Sequence, residues 1–256
     1  MNFPLPLIVA FGVLTHAASA VVVNIDFNSG TNTQSGLAAA PDAPGNTAWN
    51  GVQQISAGVV DTGVLNDSSG VATGITLDIT GFTGVIAAAS GEQELASGHL
   101  NLMRDYLRLD TTAGTVATAT GIVSGLTAGA FYEIYLYGQG ETFADSITSS
   151  ARGQNTRFTI GAESKATGWD TVSGGNGVLT ENVEYVKFLV AADVGGTITF
   201  TWSNIISSIN GPDPDGFAPG SRFAALNGIQ LVSVPEVSAA LLGGLGMLAL
   251  LVRRHR

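Results

Sequence analysis

The sequence contains no cysteine. Disulfides, thiolate metal sites and a cysteine nucleophile are excluded together, and an exported domain of this composition must be held by packing alone. Charge is scarce too: Asp, Glu, Lys and Arg make up 12% of the 256 residues, against roughly 25% in an ordinary globular chain. Histidine is limited to His16, His99 and His255, and no G-x-S-x-G elbow is present. A Ser-His-Asp arrangement needs an imidazole between nucleophile and carboxylate, and an imidazole metal centre needs at least two at ligand spacing. His99 is the one histidine between the two terminal segments: one imidazole cannot supply a metal centre, and no elbow accompanies it for a Ser-His-Asp arrangement.

What the chain has instead is glycine, 34 residues of it, about twice the usual share. Glycine with abundant Thr, Ser and Asn suits short strands joined by tight turns. Net charge is −10, but three of the ten basic residues, Arg253, Arg254 and Arg256, lie at the very end. Residues 21–234 keep seven basic and nineteen acidic residues, a net charge of −12. So acidic a body repels phosphate backbones, which argues against nucleic acid as a partner. The length suits one large all-β domain.

Both ends read as targeting segments. Leu5 to Leu14 is an apolar run of signal-peptide length, and Ala18-Ser19-Ala20 supplies small residues for cleavage, which we place after Ala20. The run is atypical in that no Lys or Arg precedes it. At the other end Val234-Pro235-Glu236 leads into an apolar stretch, Val237 to Val252, closed by Arg253, Arg254, His255 and Arg256. As a helix those sixteen residues are about 24 Å long, slightly short of a bilayer's hydrocarbon core, and the terminal arginines can snorkel. Arginines at that end belong on the cytoplasmic side, which puts the body of the chain outside.

The order Pro-Glu, then a short Gly- and Leu-rich helix, then an arginine cluster resembles the PEP-CTERM sorting signal of Gram-negative bacteria, over residues 234–256. Val237 stands where a second proline is common in that family. The resemblance implies an inner-membrane anchor, cleavage near Pro235-Glu236 by an exosortase, and release toward the cell surface or an exopolysaccharide matrix.

Between the ends, apolar and polar residues alternate with the period of strands that bury one face. Val21, Val23, Ile25 and Phe27 oppose Asn24 and Asp26; Ile75, Leu77 and Ile79 alternate with Thr76 and Asp78; Ile198, Phe200 and Trp202 alternate with Thr197, Thr199 and Thr201. Further strands are predicted at 115–123, 131–137, 156–160, 185–190 and 229–232. Asp193-Val194-Gly195-Gly196 predicts a hairpin between 185–190 and 197–202, and 95–109 fits helix and strand alike. Strands at this spacing predict an all-β sandwich. Ser124 to Gly129, Tyr132 to Gly138 and Ala225 to Leu231 look like parts of jelly-roll domains of the galactose-binding type, in which such a last strand closes the sandwich.

Candidate chemistry is sparse. The loop Asn210-Gly211-Pro212-Asp213-Pro214-Asp215-Gly216 offers Asp213 and Asp215 as oxygen ligands of the kind Ca²⁺ prefers. It lacks the EF-hand pattern, and a rigid Pro-Gly surface turn accounts for it. Sugar binding combines an aromatic platform with polar groups at its edge; Trp49 with Asn50, Trp169 with Asp170, and Tyr135 or Tyr137 with Arg152 and Asn155 are the possible sets, and Trp202 belongs to the core. Glu92, Glu94, Asp105 and Asp110 are carboxylates without an evident pairing.

The sequence therefore predicts a signal peptide (1–20), a β-sandwich ectodomain (21–233) and a sorting signal (234–256) with one transmembrane helix (237–252). It predicts a non-enzymatic surface or matrix protein with no required cofactor, partnered by an exosortase and by exopolysaccharide. A carbohydrate-binding module is the alternative. A secreted polysaccharide hydrolase, the third reading, requires two carboxylates roughly 5 to 9.5 Å apart across a cleft.

Overall fold

Period-two alternation becomes strands wherever one face can be buried, and short Gly-rich links let those strands change sheet. The computed structural model describes residues 20–28, 33–43, 45–53, 58–86, 100–140, 143–145, 148–152, 155–168, 178–214 and 222–235. Val21–Val234 forms one compact unit. The second comprises the two ends, of which Ala20 and Pro235 are described. Most of the predicted signal peptide, the helix over 237–252 and the arginine cluster lie outside the described residues. Among the described residues no helix is long and apolar enough to cross a membrane.

In chain order the strands begin with β1 (Val22–Asn28), β2 (Asn50–Gln53), β3 (Val59–Asp61), β4 (Thr76–Thr80) and β5 (Gly84–Ile86). Helix α1 (Leu100–Arg104) precedes β6 (Tyr106–Asp110), β7 (Thr118–Ser124) and β8 (Phe131–Tyr137). Then come β9 (Phe143–Asp145), β10 (Thr148–Arg152), β11 (Arg157–Ile160), β12 (Glu163–Ala166) and β13 (Tyr185–Ala191). The order closes with β14 (Ile198–Ser203), helix α2 (Ser207–Asn210), β15 (Phe223–Leu226) and β16 (Gly228–Ser233).

The first sheet has the order β13-β8-β16-β1-β2 and the second β12-β11-β14-β7-β4-β3. A smaller sheet, β15-β6-β5, and a two-stranded ribbon, β10-β9, complete the set. The two large sheets face each other through one apolar core. Val23, Ile25, Phe27, Ile134, Leu136 and Phe188 enter it from the first sheet, and Leu77, Ile79, Phe158, Phe200 and Trp202 from the second. The small sheet adds Leu107, Leu109, Ala224 and Leu226 to the same core. The architecture is an all-β sandwich, as the alternation predicts, and Trp202 is fully buried in it.

One local expectation is corrected and one ambiguity is resolved. The turn at 193–196 forms, with Asp193 Oδ1 accepting from the N–H groups of Gly195 and Thr197, each at 2.8 Å, but it does not close a hairpin. β13 pairs with β8 in the first sheet, whereas β14 pairs with β7 and β11 in the second. The turn is tied instead to the adjacent crossover between β7 and β8: Ala192 N–H donates to Ala130 O at 2.9 Å and Leu126 N–H to Gly196 O at 3.0 Å. Val186 and Phe188 thereby meet Ile198 and Phe200 within the shared core. The ambiguous stretch is both things in succession, helix over Leu100–Arg104 and strand over Tyr106–Asp110.

Gly121 shows how closely the core is fitted. It sits in β7 opposite Phe200 and Ile79, and a Cβ there would come within 2.1 Å of the Phe200 ring. The aromatic ring occupies the space a side chain would take. We expect Gly121→Val to destabilise the domain by about 1–3 kcal/mol through overpacking, measured as a lower midpoint in urea. Phe200→Leu should recover part of that loss when combined with it, and simple additivity of the two would refute the close fit.

Candidate functional site

Strand β1 alternates Val23, Ile25 and Phe27 with Asn24, Asp26 and Asn28, and ordinary amphipathic logic would leave the second set in water. All seven residues of the strand are buried. The cover is formed by residues 33–43 and 45–49, with helix α1 beside it. Polar side chains rising from the sheet hold that segment. Tyr137 Oη accepts from Ala39 N–H at 3.0 Å and donates to Gln230 Oε1. Gln230 Oε1 also accepts from Ala40 N–H at 2.9 Å, while its Nε2 donates to Asn24 Oδ1 at 2.8 Å. Asn24 Nδ2 donates to Ala48 O at 3.0 Å. Gln34 N–H donates to Asp26 Oδ2 at 2.7 Å, and Gln34 Oε1 accepts from Leu102 N–H at 3.3 Å. Trp49 Nε1 donates to Gly36 O at 2.8 Å, bracing the strap across its own width.

Asp26 is incompletely satisfied in this layer. Its side chain is inaccessible to solvent, and Oδ1 has no hydrogen-bond partner among the described residues. Burial pushes its carboxyl up to about 7; the hydrogen bond from Gln34 opposes this, the charge of Asp105 adds to it, and Asn28 opposes it. Asp105, at the junction of α1 and β6, is itself buried. These two carboxylates are out of reach of any external substrate.

Farther along the same sheet face, β8 and β13 lie side by side, with Glu133 opposite Leu189, Tyr135 opposite Lys187 and Tyr137 opposite Tyr185. Lys187 Nζ lies 3.3 Å from Glu133 Oε1 and 5.6 Å from the centroid of the Tyr135 ring. Tyr135 donates to Glu133 Oε2 at 2.8 Å. Burial, then the Glu133 contact, holds the Tyr135 hydroxyl above the usual phenol range. Tyr185 is half-buried, its ring 5.7 Å from that of Tyr135 and 5.6 Å from that of Tyr137. Phe131 and Leu189, 50% and 60% exposed, extend the strip. Tyr135 itself is buried, so the ring surface on offer is that of Tyr185 and Phe131, beside one acceptor and one donor of opposite charge.

The sequence candidates fall out as follows. Tyr137 is fully buried with its hydroxyl engaged on both sides, so it presents no platform. Trp49 is half-buried, packed against Val22, Tyr137 and their neighbours, with its N–H engaged. Asp213 is buried, accepts from Asn155 Nδ2 at 2.9 Å, and lies within the electrostatic reach of Arg157, whose Nη2 donates to Pro212 O at 2.9 Å. Among the described residues no group of three His, Asp or Glu side chains is placed to hold a metal ion. Trp169, Asp170, Asp215, His99, Glu92, Glu94, Ala18 and Glu236 lie outside the described residues. Val234, Pro235 and Ala20 are exposed. Sequence reasoning missed Asp26, Gln34 and Gln230, because alternation reads such side chains as solvent-facing, and it missed the ring contact of Tyr185 with Tyr135, which depends on strand register.

No protein-family model matches the chain, and no curated protein matches it. Among solved structures it is similar to the enzymatically active domain of bacteriophage CBA120 tailspike protein 4, with 14% identity and a TM-score of 0.24 over 62% of this chain. The chain spans 19% of that protein's length. At this level of likeness no activity transfers.

Tyr137→Phe removes the hydroxyl on which Ala39 hangs and leaves a partly buried N–H unsatisfied. The expected loss is about 1–3 kcal/mol, visible as a lower thermal midpoint together with faster proteolytic nicking within residues 33–49.

Proposed function

We propose that the chain is a non-enzymatic exported protein of a Gram-negative bacterium, delivered by an exosortase-type system to the cell surface or an exopolysaccharide matrix. Its sandwich, of the galactose-binding jelly-roll type, serves structural or adhesive ends there. The observation that supports this is where the fold starts and stops relative to the two processing points. β1 begins at Val22 and β16 ends at Ser233, and the two are antiparallel neighbours with Val22 opposite Val232. Val21 and Ser233 exchange hydrogen bonds, Ser233 N–H to Val21 O at 2.9 Å and Val21 N–H to Ser233 Oγ at 2.7 Å. Cleavage after Ala20 and near Pro235-Glu236 would thus trim the chain just outside its last hydrogen-bonded pairs, at exposed residues.

The test is the mass of the mature protein from its native host, with membrane and released fractions analysed apart. Released protein running from Val21 to about Pro235 is the expected result. Membrane-bound protein that retains Arg256 would refute exosortase processing.

The carbohydrate-binding alternative draws on the strip formed by β8 and β13. Aromatic rings with charged groups at their edge suit the apolar faces and polar rims of pyranose rings. We expect the host exopolysaccharide to retard the protein in an affinity gel and Tyr185→Ala to weaken retardation by about tenfold, as loss of one stacking ring of roughly 1.5 kcal/mol would. Unchanged retardation in a folded Tyr185→Ala protein would remove the strip from consideration.

A further inference from the structure

Asp26 stands on the outer face of β1 between two glycines, Gly228 of β16 on one side and Gly51 of β2 on the other. Neither neighbour offers a side chain, so whatever meets the carboxylate must come from above. A Cβ on Gly228 would come within 2.5 Å of Leu102 Cδ1, and one on Gly51 within 2.2 Å of Thr33 Oγ1. The two glycines therefore let the helix and the strap descend on either side of the acid. Gln34 joins all three parts, its N–H on Asp26 and its side-chain oxygen on the N–H of Leu102.

We propose that Asp26 acts as a proton-operated latch, fastening the strap of residues 33–49 and helix α1 over the first sheet while its carboxyl is protonated and loosening both when it is ionised. The inference is independent of how the chain is exported and of what it binds.

The groups that bear on Asp26 support a single-proton device. From β1, β2 and β16 the facing residues are Asn24, Asn28, Gly51, Gly228 and Gln230, none of them charged. The strap contributes Gln34; its one described acid, Asp42, accepts from the N–H of Ala43. From the helix and the strand after it come Arg104 and Asp105, and of these Asp105 is the charge felt by Asp26. Among the described residues Asp26 makes no ion pair. A protonated Asp26 is a neutral acid. An ionised one is a buried anion with an unpartnered oxygen that also feels the charge of Asp105, a state burial disfavours strongly.

The sign of the pH dependence follows by linkage. The carboxyl is raised from 3.8 to about 7 in the fold, so between those values the closed state keeps a proton that the open chain has released. Protection of the strap therefore falls as pH rises through that window and levels off above it.

Amide hydrogen exchange, corrected for intrinsic rates, should show protection of residues 33–49 and 100–104 falling on the order of a hundredfold from pH 5 to 8, with the strands of the second sheet changing less. Asp26→Asn should make protection flat over that range. Asp110→Asn, at a partly exposed carboxylate bridged to Arg108 and Arg222, should keep the wild-type fall, and so should His99→Gln. Flat protection in the wild type, a persistent fall in Asp26→Asn, or its loss in His99→Gln would each overturn the latch. If Asp26→Asn does not fold, the ¹³C shift of the Asp26 carboxyl in the wild type decides: a midpoint near 7 supports the latch and one below 5 refutes it.

Discussion

Strand β1 of the first sheet is covered on both faces, and the rest of the molecule answers to that constraint. On one side β1 meets an apolar core, where dispersion and water exclusion suffice. On the other it presents Asn24, Asp26 and Asn28 to a covering strap, where every donor and acceptor withdrawn from water needs a partner within the protein. Gln230, Tyr137, Asp26 and Asn24 are placed to give the strap's backbone those partners. A cover without regular strand pairing is thus held by hydrogen bonds that depend on geometry.

Asn227 carries the same logic into the corner where β15 gives way to β16. It is the one residue between the two strands, so the chain passes from the small sheet to the first large sheet at that point. Its N–H donates to Tyr137 O, its carbonyl accepts from Phe27 N–H, its side-chain oxygen accepts from Gln139 N–H, and its Nδ2 donates to Met103 O. One amide side chain and its own peptide group satisfy the ends of three neighbouring segments. That lets a single chain run serve two sheets without leaving buried polar groups stranded.

Much of the β architecture was legible because it rests on local alternation. Phe131–Tyr137 is read from sequence with the same limits the fold shows, since Tyr132, Ile134 and Leu136 alternate into the core between the sheets. The 185–202 region illustrates the limit of that method. Both strands and the Asp193 turn are evident locally, yet whether a tight turn closes a hairpin or passes between sheets depends on Ala130 and Leu126, more than sixty residues earlier. The candidate aromatics met the same limit. Tyr137 and Trp49 look like platforms in sequence because their surroundings are turn-rich or amphipathic; Tyr137 is sealed by a strap that shows no strand periodicity of its own, and Trp49 is part of that strap, half-buried with its N–H engaged.

By itself the sequence determined that the domain is all-β and acidic, that it has no thiol chemistry, and that apolar segments flank it, because composition and short-range periodicity carry those properties directly. The tertiary structure alone decided that Asp26 is buried between two glycines, that Tyr185 stands beside Tyr135, and that β13 and β14 part company. Each of these depends on strand register and on contacts between residues far apart in the chain. Alternation assigns a side chain to a face; only the folded chain decides whether that face meets water.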